Sequence, residues 1–495
     1  MIDGPQDLKD LRAATVRGLR WVMIARPIVE VTLIGSMVAL AHLIPPVEFG
    51  YFAAASLISG FGAASVSALT TALVQRPELK HAHLQAATAI ALLSGAVLVG
   101  LILLAAELIV VPVFGDRTAD IVRLSAPGAL IAAAGAVPFA QLQRRLDFRR
   151  LSIIDVASSG LRGLGAVGLA LMGLDSPALV LGVVAATAAQ TGLAWLWAPP
   201  PAPRIRWQPT KELLHNGVPN WLAAVSWIGF ANCDYAIVGA RLGALQSGLY
   251  FRAYTLSVEY QKKVSGVMAT IGLPVLARAR NGEDMGALRG QMISLLTVLL
   301  FPCLALLAIL APVAVPWVFG AEWEPAVGPT QVLAIGGAAV IVIDAVGTTL
   351  MAGGRSRAVL GFGWAHFVVY ATAVFFTAPL GLTAVAGAAA AVHTGFVLVA
   401  YGILHRSAGT RVLAHVWQDV GPALSACAAL VAVSLPATST MSAMGASAPL
   451  TVAAVTPAAA VVYLVVLRTW FPAPWGTLMT FASRLAPRPR GAVHA

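Results

Sequence analysis

The sequence predicts an all-α polytopic membrane protein of about fourteen transmembrane helices, arranged as two six-helix halves followed by two more helices. Three observations predict it. Of 495 residues, 59% are hydrophobic and only 11% are Asp, Glu, Lys or Arg, where a soluble protein carries roughly 25% charged residues. Mean hydropathy is +0.83, carried by long apolar runs with connections no longer than about 20 residues, the length of a single span. The basic residues gather in alternate connections. This combination excludes a cytosolic enzyme, a disordered chain and a secreted disulfide scaffold.

Residues 1–18 mix Lys9, Arg12 and Arg17 with Asp3, Asp7 and Asp10 and read as a cytoplasmic N-terminal segment. The apolar stretch that comes next is too long for a signal-peptide core, so it is an uncleaved first span. Spans are expected at 19–44, 48–74, 85–113, 121–142, 152–173 and 177–198, which form the first lobe, 19–198. Residues 199–217 form a cytoplasmic linker. Spans at 218–241, 248–275, 292–318, 327–352, 358–379 and 382–404 form the second lobe, 218–404. Residues 405–469 hold two additional spans, 420–437 and 450–469, and 470–495 form a cytoplasmic tail.

Orientation follows from charge. With the N-terminus inside, the inner segments collect twenty-three of the 32 basic residues, among them Arg76, Lys80, Arg144, Arg145, Arg149 and Arg150. The outer loops hold Arg117, with Arg123 and Arg241 at span ends, and acids such as Glu48, Asp175, Glu322 and Glu324. Lys and Arg mark the cytoplasmic side, so both termini are expected inside. The same sorting accounts for most of the +11 net charge without a nucleic-acid partner.

A repeat links the halves. Val111-Pro112-Val113-Phe114-Gly115 ends span 3, and Val315-Pro316-Trp317-Val318-Phe319-Gly320 ends span 9. Glu48-Phe49-Gly50-Tyr51-Phe52 opens span 2, and Ser247-Gly248-Leu249-Tyr250-Phe251 opens span 8. Each match pairs a span with the one six later, as in transporters built from parallel repeats. The linker starts stiffly at Pro199, Pro200, Pro201 and Pro203, and its Arg204, Arg206 and Lys211 favour an anionic lipid surface.

Catalytic signatures are missing. There is no phosphate-binding G-x-x-x-x-G-K-[ST] and no H-E-x-x-H. Gly163-Leu164-Gly165-Ala166-Val167-Gly168 fits G-x-G-x-x-G but lies inside span 5, where small residues let helices pack closely. Cys233, Cys303 and Cys427 read as reduced packing residues. The longest outer loop, 437–449, has no titratable side chain. The chain is therefore expected to be no enzyme and to hold no metal or cofactor; a proton or sodium gradient is left open as an energy source.

The informative residues are charges inside spans, which must face a cavity or a partner. Arg26 and Glu30 lie four apart on span 1, with Pro27 between them. They read either as a self-neutralising pair or as a cavity-facing one. On span 8, at 100° per residue, Arg252, Thr255, Glu259 and Lys263 share one face, with Lys262 beside it. That stripe lines either a substrate cavity or another polar helix. Span 7 carries Asp234, which could pair with Arg252 or act as a proton-sensitive carboxylate. Asp155 and Arg162 on span 5, and Asp344 on span 10, divide between cavity and packing readings. Arg26, Glu30, Asp234, Arg252, Glu259, Lys262 and Lys263 are the candidate cavity residues, and their basic surplus suits an anionic substrate such as a diphosphate headgroup.

Four motifs carry a family resemblance. Ala72-Leu73-Val74-Gln75-Arg76 resembles the aliphatic-Gln-Arg turn of bacterial polysaccharide exporters, and Gln143-Arg144-Arg145-Leu146-Asp147-Phe148-Arg149-Arg150 resembles their R-x-L-D-F-R-R loop. Gly248-Leu249-Tyr250-Phe251-Arg252-Ala253-Tyr254 resembles their G-Y-Y-x-x-A-Y opening of span 8. Phe319-Gly320-Ala321-Glu322-Trp323-Glu324-Pro325-Ala326-Val327 resembles their F-G-x-x-W-x-P-A-V loop. The chain is thus similar, over about residues 19–405, to Wzx-type flippases of the polysaccharide transporter family, within the multidrug/oligosaccharidyl-lipid/polysaccharide exporter superfamily. The resemblance implies two six-helix lobes in a V. It implies translocation of an undecaprenyl-diphosphate-linked oligosaccharide across the bacterial inner membrane by ion-coupled alternating access, alongside polysaccharide polymerase and chain-length proteins. A multidrug or small-molecule antiporter of the same superfamily is the alternative. By position, Arg26 and the Arg252–Lys263 stripe are where the resemblance puts diphosphate binding. Gln75-Arg76 and Asp147-Phe148-Arg149 read as topology or gating elements.

Overall fold

The computed structural model describes residues 8–76, 78–259, 261, 282–404 and 412–485, which are helical almost throughout and contain no strand. In chain order the helices are α1 (Leu8–Leu43), α2 (Pro46–Gln75), α3 (His81–Ala105), α4 (Asp116–Arg144), α5 (Phe148–Gly160), α6 (Ser176–Trp197), α7 (Trp207–Leu242) and α8 (Ala244–Tyr254). There follow α9 (Gly282–Phe319), α10 (Val327–Ala352), α11 (Ser356–Thr377), α12 (Leu382–Leu404), α13 (Val412–Ala443), α14 (Ala448–Trp470) and α15 (Pro472–Leu485). Three helices run on through a widened π-type turn: α3 at Ala106–Val110, α5 at Leu161–Gly165 and α8 at Thr255–Glu259. Among the described residues, 11 helices are long and apolar enough to cross a membrane. The expected spans 48–74, 218–241 and 248–275 are not among these, and each includes residues outside the full description.

Several boundaries differ from the sequence expectation. Only 199–206 of the linker is extended, and α7 begins at Trp207, ahead of the expected span start at 218. The extended stretch is pinned where the Arg204 backbone N–H donates to the Gln85 carbonyl at 3.2 Å. The expected outer loop 437–449 is largely helix, because α13 continues to Ala443. Pro436 sits inside it, as membrane helices tolerate when neighbours satisfy the freed carbonyl. Pro27 likewise lies within an uninterrupted α1. The expected tail contains α15, whose Trp475 and Leu478 pack on the core of the second unit.

The chain divides into two compact units, Met1–Phe251 and Arg252–Ala495. In the first, α4 packs against α2, α3 and α6, and α2 packs against α7. The two repeated motifs meet here. A methyl group on Gly50 would overlap the Ala244 carbonyl, and one on Gly248 would overlap the Pro46 carbonyl. The contact is reciprocal: each motif's glycine receives the other segment's backbone. The following aromatics close around it, Phe52 against Phe251 at 5.9 Å and Tyr235 against Tyr250 at 6.0 Å between centroids.

The two loop motifs build one clasp at the ends of α2 and α4. The Arg144 guanidinium donates to the carbonyls of Leu73 at 3.2 Å, Val74 at 3.4 Å and Arg76. These acceptors belong to the last turn of α2 and its cap, where a helix leaves carbonyls without intrahelical partners. Arg76 itself pairs with Glu212 of α7, which also meets His83 at 3.2 Å and accepts from Gln208 at 3.0 Å. The hydrogen bonds from Gln208 and Arg76, with that from His83, hold the Glu212 carboxyl below the usual range. In the second loop, Asp147 caps α5 by accepting from the Arg150 N–H at 3.2 Å. Arg149 lies over Trp21 and Arg150 over Trp197. The motif residues thus tie helix ends together.

In the second unit, α9 packs against α10, α13 and α14, and α10 against α12. The buried Tyr463 of α14 donates to the Val298 carbonyl at 3.0 Å, fixing the last long helix to α9.

Replacing helical Gly by Ala ordinarily gains about 1 kcal/mol. Gly248→Ala is expected to do the reverse, since overpacking a backbone contact costs roughly 1–3 kcal/mol. The purified variant should melt below wild type and give less monodisperse protein. An equal or higher melting temperature would contradict the contact.

Candidate substrate-binding site

The first unit exposes charge inside its spans. On α1 the Arg26 guanidinium pairs with Glu30 at 2.9 Å, yet 54% of its side chain remains accessible, and 26% of the Glu30 side chain does. Asp155 of α5, the helix packed against α1, lies within electrostatic reach of Arg26. Arg26 is thus both paired and accessible, near the start of the span Arg20–Leu43.

A cavity of about 510 Å³ opens within the same unit, between α2, α4, α5 and α6. Its lining carries hydroxyls and amides, including Thr70, Ser125, Gln143, Thr187 and Gln190, with Arg162 as its charged residue. Thr70, Ser125 and Thr187 donate to backbone carbonyls of the helices, leaving their oxygens as acceptors. Arg162 stands in the π-type turn of α5, and the next residue, Gly163, abuts Ser36 of α1 so closely that no side chain would fit. Of the G-x-G-x-x-G run, Gly163 packs against another helix, whereas Gly165 and Gly168 meet none. Charge spacing marked Arg162 in the sequence, but nothing in hydropathy marked the hydroxyl lining, because Ser and Thr scatter along these spans.

Asp234 on α7 is fully buried at 0% accessibility and accepts from the Tyr235 N–H at 3.0 Å. Arg252 is 1% accessible. Its guanidinium stacks between two rings of the F-G-x-x-W motif, 4.7 Å from the Trp323 centroid and 5.0 Å from that of Phe319. It is a buried clamp on the α9–α10 corner.

The shared face expected for Arg252, Thr255 and Glu259 assumed an unbroken α-helical period. The turn Thr255–Glu259 is widened instead, and one inserted residue rotates the next stretch of helix by about 100°. Ser257 in this turn donates to the Thr330 carbonyl at 2.9 Å, and its own carbonyl abuts Gly337 of α10. Glu259 is half-buried at the end of the turn. Lys262 and Lys263 lie outside the described residues. In the first unit the structure groups Arg26, Glu30 and Asp155 on α1 and α5 and puts Arg162 in the cavity; in the second, Arg252 lies against Trp323 and Phe319.

The helical architecture is that of a known class of polytopic transporters. It is similar to the lipid II flippase MurJ in an inward closed conformation, at 13% identity and a TM-score of 0.69, covering 91% of this chain and 98% of that one. It is also similar to an inward-facing multidrug resistance MATE family transporter of the MOP superfamily, at 14% identity and a TM-score of 0.60, covering 78% and 95%. These likenesses establish the fold.

The family described as polysaccharide biosynthesis protein matches residues 39–328, more than half of the chain, and the chain belongs to it. Among its relatives are the teichuronic acid biosynthesis protein TuaB of Bacillus subtilis (strain 168), 26% identical over 369 residues, 70% of this chain and 72% of that one. Another is the lipopolysaccharide biosynthesis protein WzxC of Escherichia coli (strain K12), 26% identical over 407 residues, 79% of each. Family and fold together define a multi-pass membrane protein of polysaccharide biosynthesis, in keeping with the motif resemblance.

Burial changes what to expect of Arg252. Lys keeps the charge but loses the planar guanidinium, and a desolvated cation–π contact is worth about 2 kcal/mol. Arg252→Lys should therefore lower the melting temperature of the purified protein. An unchanged melting temperature would remove the clamp.

Proposed function

We propose that this protein translocates an undecaprenyl-diphosphate-linked oligosaccharide repeat unit from the inner to the outer leaflet of the bacterial inner membrane. The product feeds exopolysaccharide, capsule or lipopolysaccharide O-antigen synthesis. Two six-helix lobes alternate access to the substrate, coupled to an ion gradient, with both termini in the cytoplasm. Polysaccharide polymerase and chain-length proteins are the natural partners downstream.

The observation that carries the reading is accessible cationic charge inside apolar spans, Arg26 on α1 and Arg162 in the cavity. Arginine's planar fork suits phosphate oxygens, and the hydroxyl and amide lining of the cavity suits sugar hydroxyls. Glu30 and Asp155 balance the charge around Arg26 so that the empty site is not left strongly positive. The names of TuaB and WzxC, proteins of teichuronic acid and lipopolysaccharide biosynthesis, agree with a glycan cargo. The alternative, a multidrug antiporter, would exchange cationic drugs and calls for an acidic cavity surface, whereas here the charged residue lining the cavity is Arg162.

Deleting the gene should abolish the surface polymer and leave its lipid-linked repeat unit accumulated on the inner leaflet, read by mass spectrometry of extracted lipids. Normal polymer in a strain without a second exporter would overturn the proposal. Arg26→Ala and Arg162→Ala should each reduce export at least about tenfold, the equivalent of about 1.4 kcal/mol, at unchanged membrane abundance. Undiminished export in both would remove these arginines as headgroup ligands.

A further inference from the structure

Two histidines meet in the second unit, each halfway along one of two successive spans. His366 stands at the midpoint of α11 and His393 at the midpoint of α12. Their rings are 3% and 2% accessible, and His366 Nε2 lies 2.9 Å from His393 Nδ1. One ring donates the N–H and the other accepts. Both rings are sandwiched by aromatics: His366 stacks on Phe396 at 4.3 Å and His393 on Tyr370 at 4.9 Å between centroids. Phe362 approaches His366 at 5.8 Å. On the facing helix α10, Gly336 admits the His393 ring.

Such a site is costly in the centre of a bilayer, and a purely apolar pair would pack there more cheaply. Imidazole is also the side chain whose ordinary pKa lies within the range of physiological gradients. We infer that the His366–His393 pair is the proton-binding site through which a pH gradient drives translocation, an assignment that rests on the flippase reading above. The incoming proton is taken up by a ring nitrogen of the pair. The neutral pair becomes an imidazolium bound to an imidazole, and the N–H···N bond between them is kept. The ring faces of Phe396 and Tyr370 stabilise the added charge by cation–π attraction.

The other ionisable groups on the packed helices include Tyr370, Asp344, Tyr401, Asp419 and Arg289. Tyr370 of α11 touches the pair. Asp344 of α10 lies beyond Gly336, about two helical turns along. Tyr401, further along α12, donates to Asp419 of α13 at 2.7 Å, and Asp419 also faces Arg289 of α9 at 3.6 Å. A proton bound more tightly in one access state than in the other shifts the balance between states by that difference in affinity.

The test uses the full chain, wild type and His366→Asn and His393→Asn variants, in nanodiscs and in proteoliposomes. In nanodiscs, nitrogen NMR of labelled histidine over a pH series should show the pair taking up one proton. Each variant should lose that shared transition. A pair that stays neutral throughout overturns the proposal whatever transport does. In proteoliposomes the probe is a fluorescent polyprenyl-diphosphate disaccharide. A gradient of one pH unit, acidic on the receiving side, should bias wild-type translocation by up to about tenfold for one proton per cycle. Both variants should move the probe equally with or without the gradient. An equal gradient response in wild type and variants overturns the proposal while leaving the flippase reading intact. A wild type that binds the proton but never moves the probe overturns the flippase reading, and the coupling with it.

Discussion

A charge in hydrocarbon must be paired, stacked or wet, and the placement of this protein's few charges follows from that constraint. Arg144 leaves the apolar interior and finds three backbone carbonyls at the end of α2. Arg252 keeps its position within the fold by lying between Trp323 and Phe319. Arg26 is paired with Glu30 and still accessible. The first two arrangements consume the cation's binding capacity in holding helices together. Arg26, half-exposed, differs from both in that its pairing leaves much of its side chain accessible.

The second constraint is the lack of any hydrophobic force between helices in lipid, where association depends on close packing. The repeated motifs meet it with their glycines. Gly50 and Gly248 each accept the other segment's backbone where a side chain would overlap it. A repeat that looked like a trace of duplication is therefore also a structural joint. The two motifs resemble each other because they solve the same packing problem, and both segments present a small residue, then aromatics, to one another.

The helical, many-span fold was legible because apolar spans depend on local composition, which hydropathy reads directly, and the family was legible in its motifs. The loop motifs were legible as motifs, but their use was not. Nothing in the sequence near Arg144 points to the carbonyls of Leu73 and Val74, some seventy residues earlier in the chain. The face shared by Arg252 and Glu259 failed at a widened turn, because such a turn depends on the neighbouring helix, here the backbone approach at Gly337. His366 and His393 drew no notice for a different reason: each alone is a single polar residue in an apolar run. The signal would have been their position, each at the centre of one of two successive spans.

The accessible arginines and the histidine pair belong to different compact units. If one residue set handled both cargo charge and driving proton, coupling could be direct competition, with the substrate's phosphates displacing or attracting the proton by Coulomb forces over a few ångströms. On the flippase reading, the other route is a change in state of the whole protein to which both sites contribute a difference in affinity. The buried, aromatic-lined setting of the histidines fits such a role. A proton there acts on the packing of α10, α11 and α12, where an added charge in a low-dielectric interior changes the energy of one arrangement against another. The polar cavity of the first unit fits the complementary role, open enough to exchange its occupant while its own helices stay packed.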